Sequence, residues 1–157
     1  GMAKREGMEE IMRGKHISKK YPGYYVSPSI HYTETFNNKC HFLTNEIFAP
    51  NCTFLPYKEI EEAINIANST EYGLASSIFT KDESLYQKCI EELDTGILNF
   101  NRSTVGASAK LPFGGVKNSG NYRPASVTTI DACTYPLASL FLKNENENPL
   151  EIKGLML

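Results

Sequence analysis

The chain has 157 residues, 41% hydrophobic and 22% charged, with 16 basic against 18 acidic side chains for a net charge of −2. A chain of this length buries roughly 70% of its unfolded surface, enough for one domain with a core. The near-neutral balance excludes the basic stripe that a nucleic-acid binder needs, and no apolar run approaches the roughly 20 residues of a membrane span.

In chain order, residues 1–22 are charged and weakly patterned. Gly1 ahead of Met2 reads as a tag remnant. The stretch to Lys20 is basic and polar and lacks the apolar region of a secretory signal. A short, fraying helix is expected over Glu9–Arg13, then a turn at Tyr21-Pro22-Gly23 and a brief β-prone run at Tyr24-Tyr25-Val26. Residues 29–44 read as a mostly polar loop. Cys52–Tyr57 alternates as a strand. Lys58–Asn68 follows as a helix, because Ile60, Ala63, Ile64 and Ala67 fall on one apolar face and Glu59, Glu61 and Glu62 sit in the first turn, where the helix dipole favours anions. Leu74–Thr80 is a second strand. Asp82 is positioned to cap a second helix, Glu83–Leu93, whose apolar face is Tyr86, Cys89, Ile90 and Leu93, with Gly96 where a left-handed C-terminal glycine belongs. Ile97–Asn101 is a third strand. Strand–helix–strand–helix–strand at this spacing predicts an α/β fold, a parallel sheet with flanking helices in which the three strands are neighbours. A Gly-rich loop covers 103–120. Val127–Leu142 is β-prone but interrupted by Pro136, which suits an edge or an arm, and 143–157 is a polar tail.

The four cysteines, Cys40, Cys52, Cys89 and Cys133, are widely spaced with no Cys-x-x-Cys pair. They read as reduced, packing thiols of a cytoplasmic protein rather than zinc ligands, and His16, His31 and His41 show no ligand spacing. No metal is expected.

Two motifs carry chemistry. Asn45-Glu46-Ile47-Phe48-Ala49-Pro50 is either a loop anchored by Phe48 or a ribose clamp in which the Glu46 carboxylate accepts from sugar hydroxyls and the ring packs beside them. Leu111-Pro112-Phe113-Gly114-Gly115-Val116-Lys117-Asn118-Ser119-Gly120 is neither a Gly-x-Gly-x-x-Gly fingerprint nor a Walker loop. Its adjacent glycines permit close backbone approach, to a ligand or to another segment.

The two motifs in order resemble the C-terminal part of the aldehyde dehydrogenase catalytic domain, over about residues 23–140. Between them lie the helix beginning Glu61-Glu62-Ala63-Ile64, the run Ala67-Asn68-Ser69-Thr70-Glu71-Tyr72-Gly73-Leu74 and the strand Gly96-Ile97-Leu98-Asn99-Phe100-Asn101. Asn101–Ser108, Ser119–Pro124 and Asp131–Leu140 look most like the succinylglutamate semialdehyde dehydrogenase branch, which works in arginine breakdown. The resemblance implies a partial catalytic domain over 23–126 and an oligomerisation arm over 127–142 that adds to a neighbouring subunit and makes a homo-oligomer. It further implies that Glu46 and Phe48 hold the nicotinamide-side ribose of NAD or NADP, that Asn101 lies near the active-site loops, that Gly106 and Ala107 present N–H groups to a distal substrate carboxylate, and that Phe113 lines the aldehyde pocket. The family's Gly-Gln-x-Cys nucleophile and its general-base Glu have no counterpart here, so no catalytic residue is assigned and the chain alone is expected to be inactive. Two functions follow: a piece of an NAD(P)-dependent oxidoreductase for a carboxylate-bearing semialdehyde, or a non-catalytic module acting in subunit assembly.

Overall fold

A computed structural model describes residues 1–18, 20–106, 108–123 and 125–141. In chain order the elements are α1 (Met2–Arg5), β1 (Glu9–Met12), β2 (Ser29–Tyr32), α2 (His41–Thr44), β3 (Asn51–Phe54), α3 (Ile60–Asn68), β4 (Tyr72–Gly73), β5 (Ala75–Ile78), α4 (Glu83–Glu92), β6 (Ile97–Phe100), β7 (Val116–Lys117), a 3-10 turn at Ser126–Thr128 and α5 (Thr129–Cys133).

The α/β class stands, but the strands are distributed differently from the expectation. β5 and β6 are parallel neighbours in register Ala75↔Ile97 to Ile78↔Phe100, joined through α4. The Cys52 strand does not pair with them. It runs parallel to β2, with Ile30 opposite Cys52, and β2 in turn pairs antiparallel with β1. Thus Glu9–Met12 is a strand where a helix was expected over Glu9–Arg13, and 29–44 holds a strand and a helical turn where a loop was expected. β1 begins with Glu9 and Glu10 and in β2 the polar His31 is the buried residue, so the backbone ladder more than a buried apolar face specifies them. A third sheet, β4 with β7, brings Tyr72 opposite Lys117. Among the described residues the three sheets share no strand.

Helix α4 begins as expected, with the Asp82 carboxylate accepting from the Ser84 N–H at 2.8 Å; the Ser84 hydroxyl, which donates to it at 2.6 Å, and then that N–H lower its carboxyl from the ordinary value. Its end differs: Leu93 leaves the helix in extended conformation, and Gly96 is not among the glycines of positive φ. Gly96 is instead a close-approach residue, because an added Cβ would overlap the Gly114 carbonyl oxygen and lie 2.7 Å from the Gly115 Cα.

Residues 127–133 are helical rather than extended. Ser126 turns the chain with φ +63, and the Thr128 hydroxyl donates to the Arg123 and Ala125 carbonyls. Residues 134–141 run without regular structure, with Tyr135 and Leu137 each 82% exposed. Leu142 and the polar tail 143–157 lie outside the described residues.

Burial is sparse. Among the described residues the buried hydrophobics are Ala3, Met8, Cys40, Ile64 and Cys89. Ala3, Met8 and Cys40 form one small cluster with Phe42 and Leu43 against it. Glu6 ties this cluster together: its carboxylate accepts from the Cys40 thiol at 2.8 Å and from the Phe42 N–H at 2.9 Å. The thiol bond, then the Phe42 bond, lower the Glu6 carboxyl below its ordinary value. A carboxyl lowered in the folded state contributes stability above its unfolded value and loses it as pH falls through the folded one. Acid titration should therefore destabilise the wild-type chain through and below the carboxylate range more than Glu6→Ala. Equal acid sensitivity of the two, read by denaturant midpoints across pH, would refute the bond's contribution.

Candidate functional site

The loop after β6 is built by short-range capping. The Ser103 hydroxyl accepts from the Val105 N–H at 3.0 Å, the Asn99 amide donates to the Ser103 carbonyl at 2.8 Å, and the Ser77 hydroxyl donates to the Arg102 carbonyl. These bonds fasten residues 102–105 to the ends of β5 and β6. Gly106 then turns with φ +91, a conformation that strains any other residue. Under this loop lies a cavity of about 480 Å³, lined by β6 and by Arg102, Gly106, Leu111 and Arg123 among others. That volume lies in the range of small-molecule sites.

A second cavity, about 340 Å³, lies between the 43–46 segment, the end of α3, β4 and Asp94, with Ser119 at its wall. Glu46 lines it as an exposed carboxylate. Phe48, two residues on, is 92% exposed and is not among the lining residues.

The expected site residues therefore fall in separate places. Gly106 is in the larger cavity and Glu46 in the smaller. Ala107 lies outside the described residues. Phe113 is half-buried and lines neither. Asn101 is occupied structurally: its side-chain amide donates to the Thr80 carbonyl at 2.8 Å while its carbonyl oxygen accepts from the Thr80 N–H at 2.9 Å. This clasp closes the end of the β5–β6 ladder and holds Asn101 at φ +52. Sequence reasoning overlooked Arg102, Asn99 and Arg123. The signal available was an arginine alone in the Ser-, Thr- and Gly-rich run Arg102–Gly106.

The Gly114–Gly115 turn, beside which the larger cavity opens, is held by a polar clamp. Lys117 Nζ donates to the Asn68 carbonyl at 2.8 Å and the Thr70 carbonyl at 3.1 Å and pairs with Asp94 at 3.0 Å. The Asn68 side chain donates to the Glu92 carbonyl at 2.7 Å and accepts from the Asp94 N–H at 2.9 Å. Asn68→Ala removes both bonds, which are exposed, at an expected cost of roughly 0.5–1.5 kcal/mol each. A urea midpoint unchanged from wild type would show that water replaces both bonds without loss.

Among the described residues no three His, Cys, Asp or Glu side chains are grouped to hold a metal, and no helix is long and apolar enough to cross a membrane.

Comparison with known proteins gives this arrangement its context. The aldehyde dehydrogenase family model matches residues 2–136. The N-succinylglutamate 5-semialdehyde dehydrogenase of Legionella pneumophila (strain Corby) is 43% identical over 95 residues, covering 60% of this chain and 19% of that protein. The enzyme of the same name from Caulobacter sp. (strain K31) is 38% identical over 110 residues, 70% of this chain and 23% of that protein. The chain thus spans about a fifth of the length of the curated relatives it matches. Among solved structures, a variant of the P. syringae AldA indole-3-acetaldehyde dehydrogenase in complex with NAD+ and IAA superposes with TM-score 0.76 at 34% identity, over 83% of this chain and 26% of that one. An aldehyde dehydrogenase from Bartonella henselae gives TM-score 0.72 at 28% identity, over 83% of this chain and 27% of that one. The chain belongs to the aldehyde dehydrogenase family.

Proposed function

We propose that this chain is the substrate-end portion of an NAD(P)-dependent aldehyde dehydrogenase that oxidises a carboxylate-bearing semialdehyde of the N-succinylglutamate 5-semialdehyde type, and that it does not catalyse this oxidation by itself. The observation that carries the reading is the 480 Å³ cavity with Gly106 at its wall. A backbone N–H at a glycine turn is a suitable donor to a carboxylate, because charge-assisted bonds are the stronger ones. The names of the curated relatives supply the substrate class. Glu46 fits a ribose: it is exposed at a cavity wall, and among the described residues it makes no hydrogen bond or ion pair. In the complete enzyme Glu46 and Phe48 would hold the nicotinamide-side ribose, and NAD(P) when bound supplies the hydride acceptor.

A chimera tests this. Residues 23–136 of this chain would replace the matching segment of the Legionella relative. The expected chimera oxidises N-succinylglutamate 5-semialdehyde with NAD or NADP. A folded chimera without that activity, or one that prefers an uncharged aldehyde, refutes the reading.

The assembly reading is favoured by a separate observation, the exposure of large apolar side chains in the C-terminal segment: Leu140 is 93% and Phe141 86% exposed. Apolar surface of this kind pairs with another chain. The segment 127–142 is therefore proposed to join copies of this chain into a dimer or larger oligomer with closed symmetry. Light scattering at micromolar concentration should give a multiple of 17.6 kDa. A monomer mass at all concentrations, or a dimer that survives truncation before Val127, excludes this segment as the cause.

A further inference from the structure

The larger cavity has an electrostatic character that its glycine does not explain. Among the described residues its lining includes two arginines, Arg102 and Arg123, and no Asp or Glu. Among the described residues neither guanidinium makes an ion pair or hydrogen bond, so both are available to a ligand. Arg102 is exposed and Arg123 half-buried, and an anion between two such cations favours the charged form of all three groups. The two approach from different segments. Arg102 stands on the pinned loop after β6. Arg123 comes from the chain beyond the glycine turn, and its aliphatic stem lies against Gly114, where an added Cβ would be 2.7 Å from the Arg123 Cγ. Both backbones are restrained: the Arg102 carbonyl by Ser77, and Arg123 by the Asn121 side chain and Thr128. The Ser103 and Thr104 side chains add hydroxyl donors to the same lining.

We infer that this cavity is a two-point anion site in which Arg102 and Arg123 each take one carboxylate of a dicarboxylate ligand, setting the enzyme's specificity for aldehydes that carry two carboxylates. The inference rests on the proposed function for the identity of the ligand as substrate. A guanidinium matches a carboxylate bidentately, and two of them read both number and spacing of charges. An aldehyde with a single carboxylate leaves one guanidinium unmatched, and an uncharged aldehyde leaves both.

The test uses the full chain, labelled with ¹⁵N, and probes that lack the reactive aldehyde. N-succinyl-L-norvaline carries two carboxylates, N-butyryl-L-norvaline carries one with nearly the same shape, and the dimethyl ester of the first carries none. The dicarboxylate should shift the amides of residues 102–106. The monocarboxylate should bind about tenfold more weakly and the diester not measurably, since each charge-assisted pair accounts for about that factor. Arg102→Gln and Arg123→Gln should each lower dicarboxylate affinity about tenfold, and the one that removes the partner of the succinyl carboxylate should also erase the preference over the monocarboxylate. Arg102→Lys and Arg123→Lys keep the charge, guard against misfolding, and should bind between wild type and the glutamine variants. Equal binding of the mono- and dicarboxylate, or glutamine variants that bind like wild type, would overturn the two-arginine site while leaving the Gly106 carboxylate reading intact. Absence of any shift with all three probes would overturn both.

Discussion

Gly96→Ala is expected to cost at least about 3 kcal/mol or to prevent folding, the upper end of the range for overpacking. The added methyl would overlap the Gly114 carbonyl oxygen and stand 2.7 Å from the Gly114 carbonyl carbon and the Gly115 Cα. All three are backbone atoms, so no rotamer change relieves the clash, and Gly115 is itself crowded, with the Gly73 carbonyl oxygen 2.9 Å from where its own Cβ would be. Gly106→Ala is the control. Gly106 has φ +91 but nothing within 4 Å of its added Cβ, so only backbone strain is charged, about 1 kcal/mol. Urea unfolding of the two variants should separate them clearly. A Gly96→Ala midpoint close to that of Gly106→Ala would mean that the segments can move apart without loss.

The purified chain should show no oxidation of N-succinylglutamate 5-semialdehyde with NAD or NADP. The family chemistry begins with a thiolate, and thiolate character requires a lowered pKa and access. Cys40 and Cys89 are buried at 4% and 2% exposure. Burial pushes both thiols up, and the hydrogen bond to Glu6 raises Cys40 further. Cys52 and Cys133 are exposed, but neither is among the residues lining the Gly106 or Glu46 cavities. None of the four is therefore addressed to a bound aldehyde. NADH formation above the buffer rate, abolished by substitution of one of these cysteines, would overturn the expectation.

What could be read from the sequence divides along physical lines. The helices α3 and α4 were legible because their order is local: one face of Ile60, Ala63, Ile64 and Ala67, and an Asp82 cap confirmed by its bond to Ser84. The parallel pairing of β5 and β6 followed from the helix between them. β1 and β2 were not legible, since each is only four residues long with two polar residues in it and their pairing joins segments about 20 residues apart. Gly96 looked like a helix terminator because that role needs only neighbours in sequence, whereas its actual constraint comes from Gly114, across the fold. Val127–Ile130 carries β-branched side chains, yet two hydroxyl–carbonyl bonds from Thr128 fold it into a helical turn. The family was legible because its motifs are short, specific and ordered. The two arginines of the cavity were not, because Arg102 and Arg123 come to line one cavity only when the glycine turn folds back.

Among the described residues the β1–β2–β3 sheet shares no strand with β5–β6 or β4–β7, so breaking it leaves the other two complete, whereas the Gly96 N–H donates to the Gly73 carbonyl of β4 and ties those two together. Amide hydrogen exchange would then proceed through independent local openings rather than one global event. The Lys117 clamp couples only two of these units, since it ties β7 to the ends of α3 and α4 that flank β5. Protection in β2 and β3 should rise and fall with the Glu6–Cys40 cluster, while the amides of β6 share their fate with the glycine turn.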